Sequence, residues 1–412
     1  MKKLLFFATR CFWPTDSGHN VVLYHCCKGL HDKYGYDIHV ICFSDGTNAL
    51  PKPEFIESVE YIPLPSKVIQ VYSVLKNTFF KKKFPLQTSL FYNKSVQRRF
   101  GNSYQRIKPE VVMFDMVRLV PYANIVDSNV KKILLADDDL AKRYRRQIAC
   151  PRSGNIAGYY SENFGGVVNR FLSSPKLKNL ILDYEVKRLE KYELEYRNKF
   201  DAITFISRLE SEAFNDRHRT NVAKTLTMGA DVGYLCSASP ISDYPNSIVF
   251  VGNCSVATNA DSVKKICEKI LPRTRHPVTL YIIGKCPEGL KKSISCNRVK
   301  VLGFVDNLRD TVKSMNLFVA PITYGTGIKT KIVEAMAIGV PVITNDVGAE
   351  SLDVISGREL IIENSYEAIA EKIDYLLDHP EDCAAMVEKG QAYVKTNHAW
   401  DVVYRTFEEI GL

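Results

Sequence analysis

Short apolar runs recur along the chain, each followed by a polar turn and then by a segment whose apolar residues return at helical spacing. In the first half, Lys3 to Ala8, Ile38 to Cys42, Val59 to Pro63, Glu110 to Phe114, Ile133 to Ala136 and Ala202 to Ile206 read as buried strands. Between the first two, Asn20 to Leu30 carries the helical period. Asp16 and Ser17 are placed to cap that helix, and Gly18 would let a ligand approach the strand end. Residues 150 to 175, rich in Gly, Ser and Asn, read as a mobile loop, and Leu177 to Lys199 predicts one long amphipathic helix. In the second half a strand begins at Ile248, and Thr279 to Ile283, Val299 to Leu302, Leu317 to Ala320 and Val340 to Thr344 follow. The Ser- and Pro-rich stretch CSASPISDYPNS separates the halves. Strands alternating with helices on both sides of it predict an α/β chain with two doubly wound parallel sheets facing a central cleft.

One stretch concentrates chemistry. Tyr324 to Glu350 reads YGTGIKTKIVEAMAIGVPVITNDVGAE: a tight loop at Gly325-Thr326-Gly327, a helix from Lys331 to Ile338 stopped by Gly339 and Pro341, then a strand. The glycines let backbone approach a ligand, the first helical turn offers unpaired N–H groups, and Lys329 and Lys331 add positive charge. That combination suits a diphosphate. Glu334 would be repelled by the phosphates unless it reaches past them to hydroxyls such as a ribose, which makes the expected ligand a nucleotide. An ordinary Gly-rich turn before a helix would explain the loop equally well. In the first half, Asp137-Asp138-Asp139 follows a strand, at the end of a parallel sheet where ligands bind. Asp138 or Asp139 is expected to touch a ligand bound there, with helix capping as the alternative.

Glu334-Ala335-Met336-Ala337, Gly339 and Pro341-Val342-Ile343 match, residue by residue, the donor-site segment of retaining glycosyltransferases of family 4, the glycosyl transferases group 1, and the chain resembles that family over most of its length. Family members commonly carry a first glutamate eight positions before the second. Thr326 stands there in this chain, which resembles the branch with a GxG-x-Lys-x-Lys form. FDAITFISRLESEAF is similar to a further family segment, where Ser207 and Glu210 read as a capping box and so as structural. Met228 to Asp231 resembles the family's crossing between domains. An Arg and a Lys common in the loop after Gly252 are replaced in that neighbourhood by Asn253 and Thr258, which leaves Lys329 and Lys331 to supply the charge.

The resemblance implies the GT-B fold, with an acceptor-binding domain over 1–230, a nucleotide-sugar domain over 231–395 and a closing helix over 396–412 that packs back on the first. It implies transfer of a sugar, with retention, from a nucleotide diphosphate donor to a carbohydrate or lipid-linked acceptor, in cell-surface polysaccharide or glycoconjugate synthesis. Donor contacts are expected from Gly18, Gly252, Asn253, Gly284, Phe304, Val305, Gly325, Thr326, Gly327, Ile328 and Glu334, and catalytic contacts from Asp138, Asp139, Lys329 and Lys331. No metal and no other cofactor are expected. A nucleotide-sugar 2-epimerase of the same fold, or a catalytically silent nucleotide-sugar-binding protein, are the rival readings, the second because of Thr326.

Composition narrows the setting. With 412 residues, 46% of them hydrophobic and 25% charged, the chain has room for two soluble domains, and no run approaches the length of a membrane span. The opening MKKLLFFATRCFW imitates a signal peptide, but its apolar core is too short and reads as the first strand. Eleven cysteines without C-x-x-C spacing read as reduced thiols in a cytoplasmic protein. The net charge of +9 is uneven: residues 1–200 hold 32 Lys and Arg against 19 Asp and Glu, and 201–412 hold 23 against 27. Within 66–110, Lys81, Lys82, Lys83 and further basic residues mix with aromatic and aliphatic ones. Either an anionic membrane face, which would place the protein peripherally on the inner side of the cell membrane, or a solvated helix surface accounts for this. No nucleic-acid-binding module accompanies the charge.

Overall fold

The computed structural model describes residues 2–15, 18–44, 51–149 and 175–412. The expected caps Asp16 and Ser17, and the Gly-, Ser- and Asn-rich stretch through residue 174, lie outside the described residues. The chain divides into two units. One takes in the residues up to Arg145 together with Lys178–Thr227 and Tyr404–Leu412, and the other is built chiefly from Met228–Val403.

In the first unit β1 (Lys2–Ala8), β2 (Tyr36–Phe43), β3 (Ile56–Ile62), β4 (Val111–Asp115), β5 (Lys131–Asp137), β6 (Ala202–Phe205) and β7 (Ala223–Thr225) form an all-parallel sheet in the order β3-β2-β1-β4-β5-β6-β7. Leu4 through Ala8 are fully buried, as a continuous apolar run becomes when helices cover both faces of a parallel sheet. Leu4 pairs with Ile38 on one side and Val111 on the other. The strand order therefore turns between β1 and β4, the point at which open α/β sheets hold ligands. Helix α1 (Gly18–Asp32) follows β1, and α2 (Lys67–Ser73) runs on into the π-helical Val74–Phe80. After β5 come α3 (Leu140–Ala149), α4 (Pro175–Tyr196) and α5 (Arg208–His218). Helix α4 starts two residues before its expected bound, with Pro175 in the first position, where a missing N–H costs nothing. Ser207 caps α5 by accepting from Glu210 N at 3.4 Å, as the capping-box pattern expects, while the Glu210 carboxylate accepts from Asp139 N at 3.3 Å.

The second unit holds β8 (Ser247–Val251), β9 (Thr279–Ile283), β10 (Val299–Gly303), β11 (Leu317–Ala320), β12 (Val342–Thr344) and β13 (Ile361–Ile362), all parallel, in the order β10-β9-β8-β11-β12-β13. Strand β12 begins at Val342 rather than at the expected Val340, since Pro341 has no N–H for the ladder. Helix α6 (Ala257–Lys265) follows β8, and α7 (Thr330–Ile338) joins β11 to β12. In α7, Ile332, Val333 and Ala335 through Ile338 are buried in the core, so Lys331 and Glu334, three apart, share the face left over. Gly339, at φ 82°, ends the helix in the left-handed conformation.

The stretch that resembles the domain crossing has a packing reason for its glycine. A Cβ on Gly229 would overlap the ring of Trp400. On either side His398 Nδ1 lies 2.9 Å from Met228 O, and Ala230 bridges to Ala399. The last residues group with the first unit, where Tyr34 Oη donates to Tyr404 O at 2.8 Å and Phe407 is fully buried.

Candidate active site

In each unit the polar groups that the fold gathers stand at the carboxyl end of the sheet. In the second unit Gly252 follows β8 and Gly284 follows β9. A Cβ on Gly284 would lie 2.6 Å from Gly252 O, and one on Gly252 would lie 2.8 Å from Lys331 Nζ and 2.9 Å from Asn259 Nδ2. Gly284 must stay bare for the two strand ends to close up, and a bare Gly252 leaves room for Lys331 to reach its backbone from the first turn of α7. Lys331 Nζ donates to Asn259 Oδ1 at 2.6 Å and lies 4.3 Å from the centre of the Phe250 ring. Asn259 donates in turn to Asn253 O at 2.9 Å, and Asn253 Oδ1 accepts from Ser255 N at 2.9 Å. A chain of side chains thus fixes the turn after β8 against α7.

Burial pulls the Lys331 ammonium down from 10.5 to about 8, only partly opposed by Cys254 and Glu334. Burial also pushes the Glu334 carboxyl up to about 7, with Lys331 pulling the other way. Burial thus sets a cation and an anion of shifted pKa one helical turn apart on the face of α7 left out of the core, which makes this face a candidate site. Lys329, the residue before α7, does something else. Its Nζ donates to Thr326 O at 3.1 Å and to Gly327 O at 2.6 Å, bracing the loop in which Gly327 sits at φ 66°. Ile328 and Val305 pack against the core, while Phe304, just past β10, is 86% exposed. An aromatic face left in water at this end of the sheet is available to stack on a flat base.

The first unit holds a cluster that no contiguous motif announces. Asp115 ends β4 and is completely buried; Thr9, just past β1, donates to its Oδ2 through N at 2.8 Å and also through Oγ1. His19, in the first turn of α1 beside Gly18, places Nε2 2.9 Å from Asp115 Oδ1 and Nδ1 3.4 Å from Asp137 Oδ1. Asp137 ends β5 at φ 72°, an uncommon conformation that an aspartate tolerates. Burial alone would lower the His19 pKa, but the two carboxylates outweigh it and raise it to about 10. Burial would raise Asp115, but His19 and Thr9 hold it at about 2. The trio is an imidazolium between two carboxylates, with one net negative charge.

Asp138 and Asp139 turn elsewhere. Arg143 Nε donates to Asp138 Oδ2 at 2.6 Å. Asp139 Oδ1 accepts from Lys142 N at 2.9 Å, the capping alternative, and Oδ2 accepts from Arg217 at 2.9 Å. Of the three consecutive aspartates, Asp137 is the one joined to His19. His19 and Asp115 lie 96 residues apart, and the sequence signal that could have found them is an aspartate at the end of each of two adjacent parallel strands. Among the described residues, no group of three or more His, Cys, Asp or Glu side chains is placed to hold a metal ion.

Comparison with known proteins bears on the family and the fold. Residues 245–379, which include the turn after β8 and all of α7, match the family model for glycosyl transferases group 1. The chain is 32% identical over 117 residues to the lipopolysaccharide core biosynthesis mannosyltransferase LpsB of Rhizobium meliloti (strain 1021), covering 27% of this chain and 33% of that protein. It is 31% identical over 229 residues to the GDP-mannose-dependent monoacylated alpha-(1-6)-phosphatidylinositol monomannoside mannosyltransferase of Corynebacterium glutamicum, covering 49% of this chain and 60% of that protein. The matched regions thus span a third and three fifths of these two relatives. Among solved structures, sucrose-phosphate synthase from Thermosynechococcus elongatus superposes over 100% of this chain and 98% of its own at TM-score 0.69, with 15% identity. The fold is GT-B: two Rossmann-like α/β domains, each built on a parallel sheet.

Proposed function

We propose that the chain is a glycosyltransferase that moves a sugar from a nucleotide diphosphate donor to a carbohydrate or lipid-linked acceptor of the cell surface, with retention at the anomeric carbon. One observation carries the reading. Lys331 reaches from the helix start to the turn after β8, with Glu334 one helical turn beyond it, inside the segment that matches the glycosyl transferases group 1 model.

In this reading the diphosphate lies against the bare backbone at Gly252, Gly325 and Gly327, facing the N-terminal end of α7 and the Lys331 ammonium. The departing diphosphate gains negative charge as the glycosidic bond breaks, so a preorganised cation there acts more on the transition state than on the bound donor. Glu334 accepts from the ribose hydroxyls and Phe304 stacks on the base. The acceptor hydroxyl attacks from the face the diphosphate leaves, which gives retention without a protein nucleophile. The His19, Asp115 and Asp137 trio, negative overall, suits neutral sugar hydroxyls rather than phosphate. Asp137 is proposed to accept from one of them, with Asp138 and Asp139 anchoring the start of α3 behind it.

Both curated relatives are named mannosyltransferases, and one is named GDP-mannose-dependent, so GDP-mannose is the first donor to test. A melting screen of the purified chain against nucleotide sugars should show a rise with GDP-mannose or another nucleotide diphosphate sugar and none with the free sugar. Incubation with donor alone separates the rivals. An epimerised sugar would favour the 2-epimerase, and binding without turnover on any acceptor would favour the silent binder.

A further inference from the structure

The helical segment Lys67–Phe80 is inverted. Its exposed residues Val68, Val71, Tyr72, Leu75 and Phe79 recur at helical spacing and end at Phe80, which is 83% exposed. Its buried side is polar: Ser73, Asn77 and Thr78. These inward groups are satisfied, with Asn77 Nδ2 donating to Ser73 Oγ at 3.0 Å, Ser73 Oγ donating to Tyr92 O at 3.3 Å, and Thr78 Oγ1 lying 2.7 Å from Ser89 Oγ. Surface helices of soluble domains put the apolar stripe inward, so this stripe is built to meet an apolar phase. It is also pinned to its own unit, since Tyr184 Oη donates to Thr78 O at 2.9 Å and Phe79 stacks on the Tyr184 ring at 5.4 Å.

Charge selects the partner. Lys67, Lys81, Lys82 and Lys83 are exposed at the two ends of the stripe, and no Asp or Glu occurs anywhere from residue 61 to residue 109. Apolar and aromatic side chains edged by lysines, whose stems can lie along the acyl boundary while their ammoniums stay at headgroup level, are the make-up of an interfacial element. Among the described residues no helix is long and apolar enough to cross a membrane, which fits an element that lies on the bilayer. We infer that residues 67–83 dock the first unit on an anionic bilayer surface, with Val68, Tyr72, Leu75 and Phe80 entering the interface and Lys81, Lys82 and Lys83 holding the headgroups. This stands apart from the transferase reading, and its test contains no donor.

The test is co-sedimentation of the full chain with vesicles of neutral phosphatidylcholine and with vesicles of the same lipid mixed with phosphatidylglycerol. The wild type should partition more strongly to the anionic vesicles and release at about 0.5 M salt, where charges act within roughly 4 Å. Lys81→Gln, Lys82→Gln and Lys83→Gln together should weaken anionic binding about 10²-fold, as three lysines at about 1 kcal/mol each imply. Val68→Asp with Phe80→Asp should abolish it while leaving the melting temperature unchanged, because both side chains are exposed. Equal partition to the two vesicle types would overturn the inference, as would an unaffected triple variant. So would a dimer in solution that Phe80→Asp converts to a monomer, which would assign the stripe to a second copy of the chain.

Discussion

Replacing Lys331 by methionine should separate stability from turnover. Keeping a lysine charged at a site that lowers its pKa from 10.5 to about 8 costs about 3 kcal/mol relative to water. The hydrogen bond to Asn259 and the contact with the Phe250 ring, each worth about 1 kcal/mol, offset part of that cost. Methionine keeps the apolar stem and removes the charge, so the folded chain should gain about 1 kcal/mol, or roughly 2 to 4 °C in melting temperature for domains of this size. The sign with pH follows from the lowered pKa. The penalty is full below about pH 8 and fades as pH rises toward 10.5, where the unfolded lysine is neutral too, so the gain should fade with it. If the ammonium faces the leaving diphosphate, kcat at saturating donor should fall roughly 10²-fold in the same variant. Lys329→Ala should instead raise the donor KM, because its contacts brace the Thr326 to Gly327 loop. Melting curves and steady-state kinetics on the two variants settle the matter. A Lys331→Met protein that turns over like the wild type, or that melts several degrees lower, would refute this reasoning.

Glu334→Ala should weaken nucleotide diphosphate binding by about 1 to 3 kcal/mol in calorimetry, since ribose hydroxyls lose their acceptor; unchanged affinity would place the ribose elsewhere. Asp115→Asn should cost about 3 to 5 kcal/mol in denaturant unfolding by leaving His19 with a broken buried pair. His19, raised to about 10, contributes fully below about pH 6.5 and is lost as pH rises through 10, and Asp115, lowered to about 2, contributes above about pH 3.8 and is lost as pH falls through 2. The gap between wild type and variant should therefore be widest between those limits, and a gap that stayed constant up to about pH 10 would contradict the pairing. Gly229→Ala should destabilise the protein by about 1 to 3 kcal/mol through overlap with Trp400. Its pairing with Trp400→Leu tests this, because the double variant should recover part of the loss.

Much of the architecture is legible in the chain because parallel strands covered on both faces are unbroken apolar runs. Leu4 to Ala8, Ile38 to Cys42 and Leu317 to Ala320 all fall inside observed strands. The Gly325 to Glu334 stretch stands out as a candidate for a related reason, since it is contiguous and its polar residues contrast with a buried helix. Two things were harder to read. The His19, Asp115 and Asp137 trio joins the start of α1 to the ends of β4 and β5, far apart in sequence, and only the strand order β2-β1-β4-β5 brings them together. In Asp137-Asp138-Asp139 the spacing alone does not tell which carboxylate faces the sheet end, because the positive φ at Asp137 sets that direction. The basic, apolar stretch around Lys81 was visible as composition. Its inversion was not, because Ser73, Asn77 and Thr78 look like surface residues until their hydrogen-bond partners are known.

The most direct test of the transferase reading follows the sugar itself. GDP-mannose labelled in the mannosyl group is incubated with the purified chain and a lipid-linked or polysaccharide acceptor fraction, and label in the acceptor is counted against nucleotide diphosphate released. Equal amounts of the two are expected for the wild type, both falling roughly 10²-fold for the folded Lys331→Met variant. Nucleotide released without label reaching any acceptor, or transfer that Lys331→Met leaves intact, would contradict it.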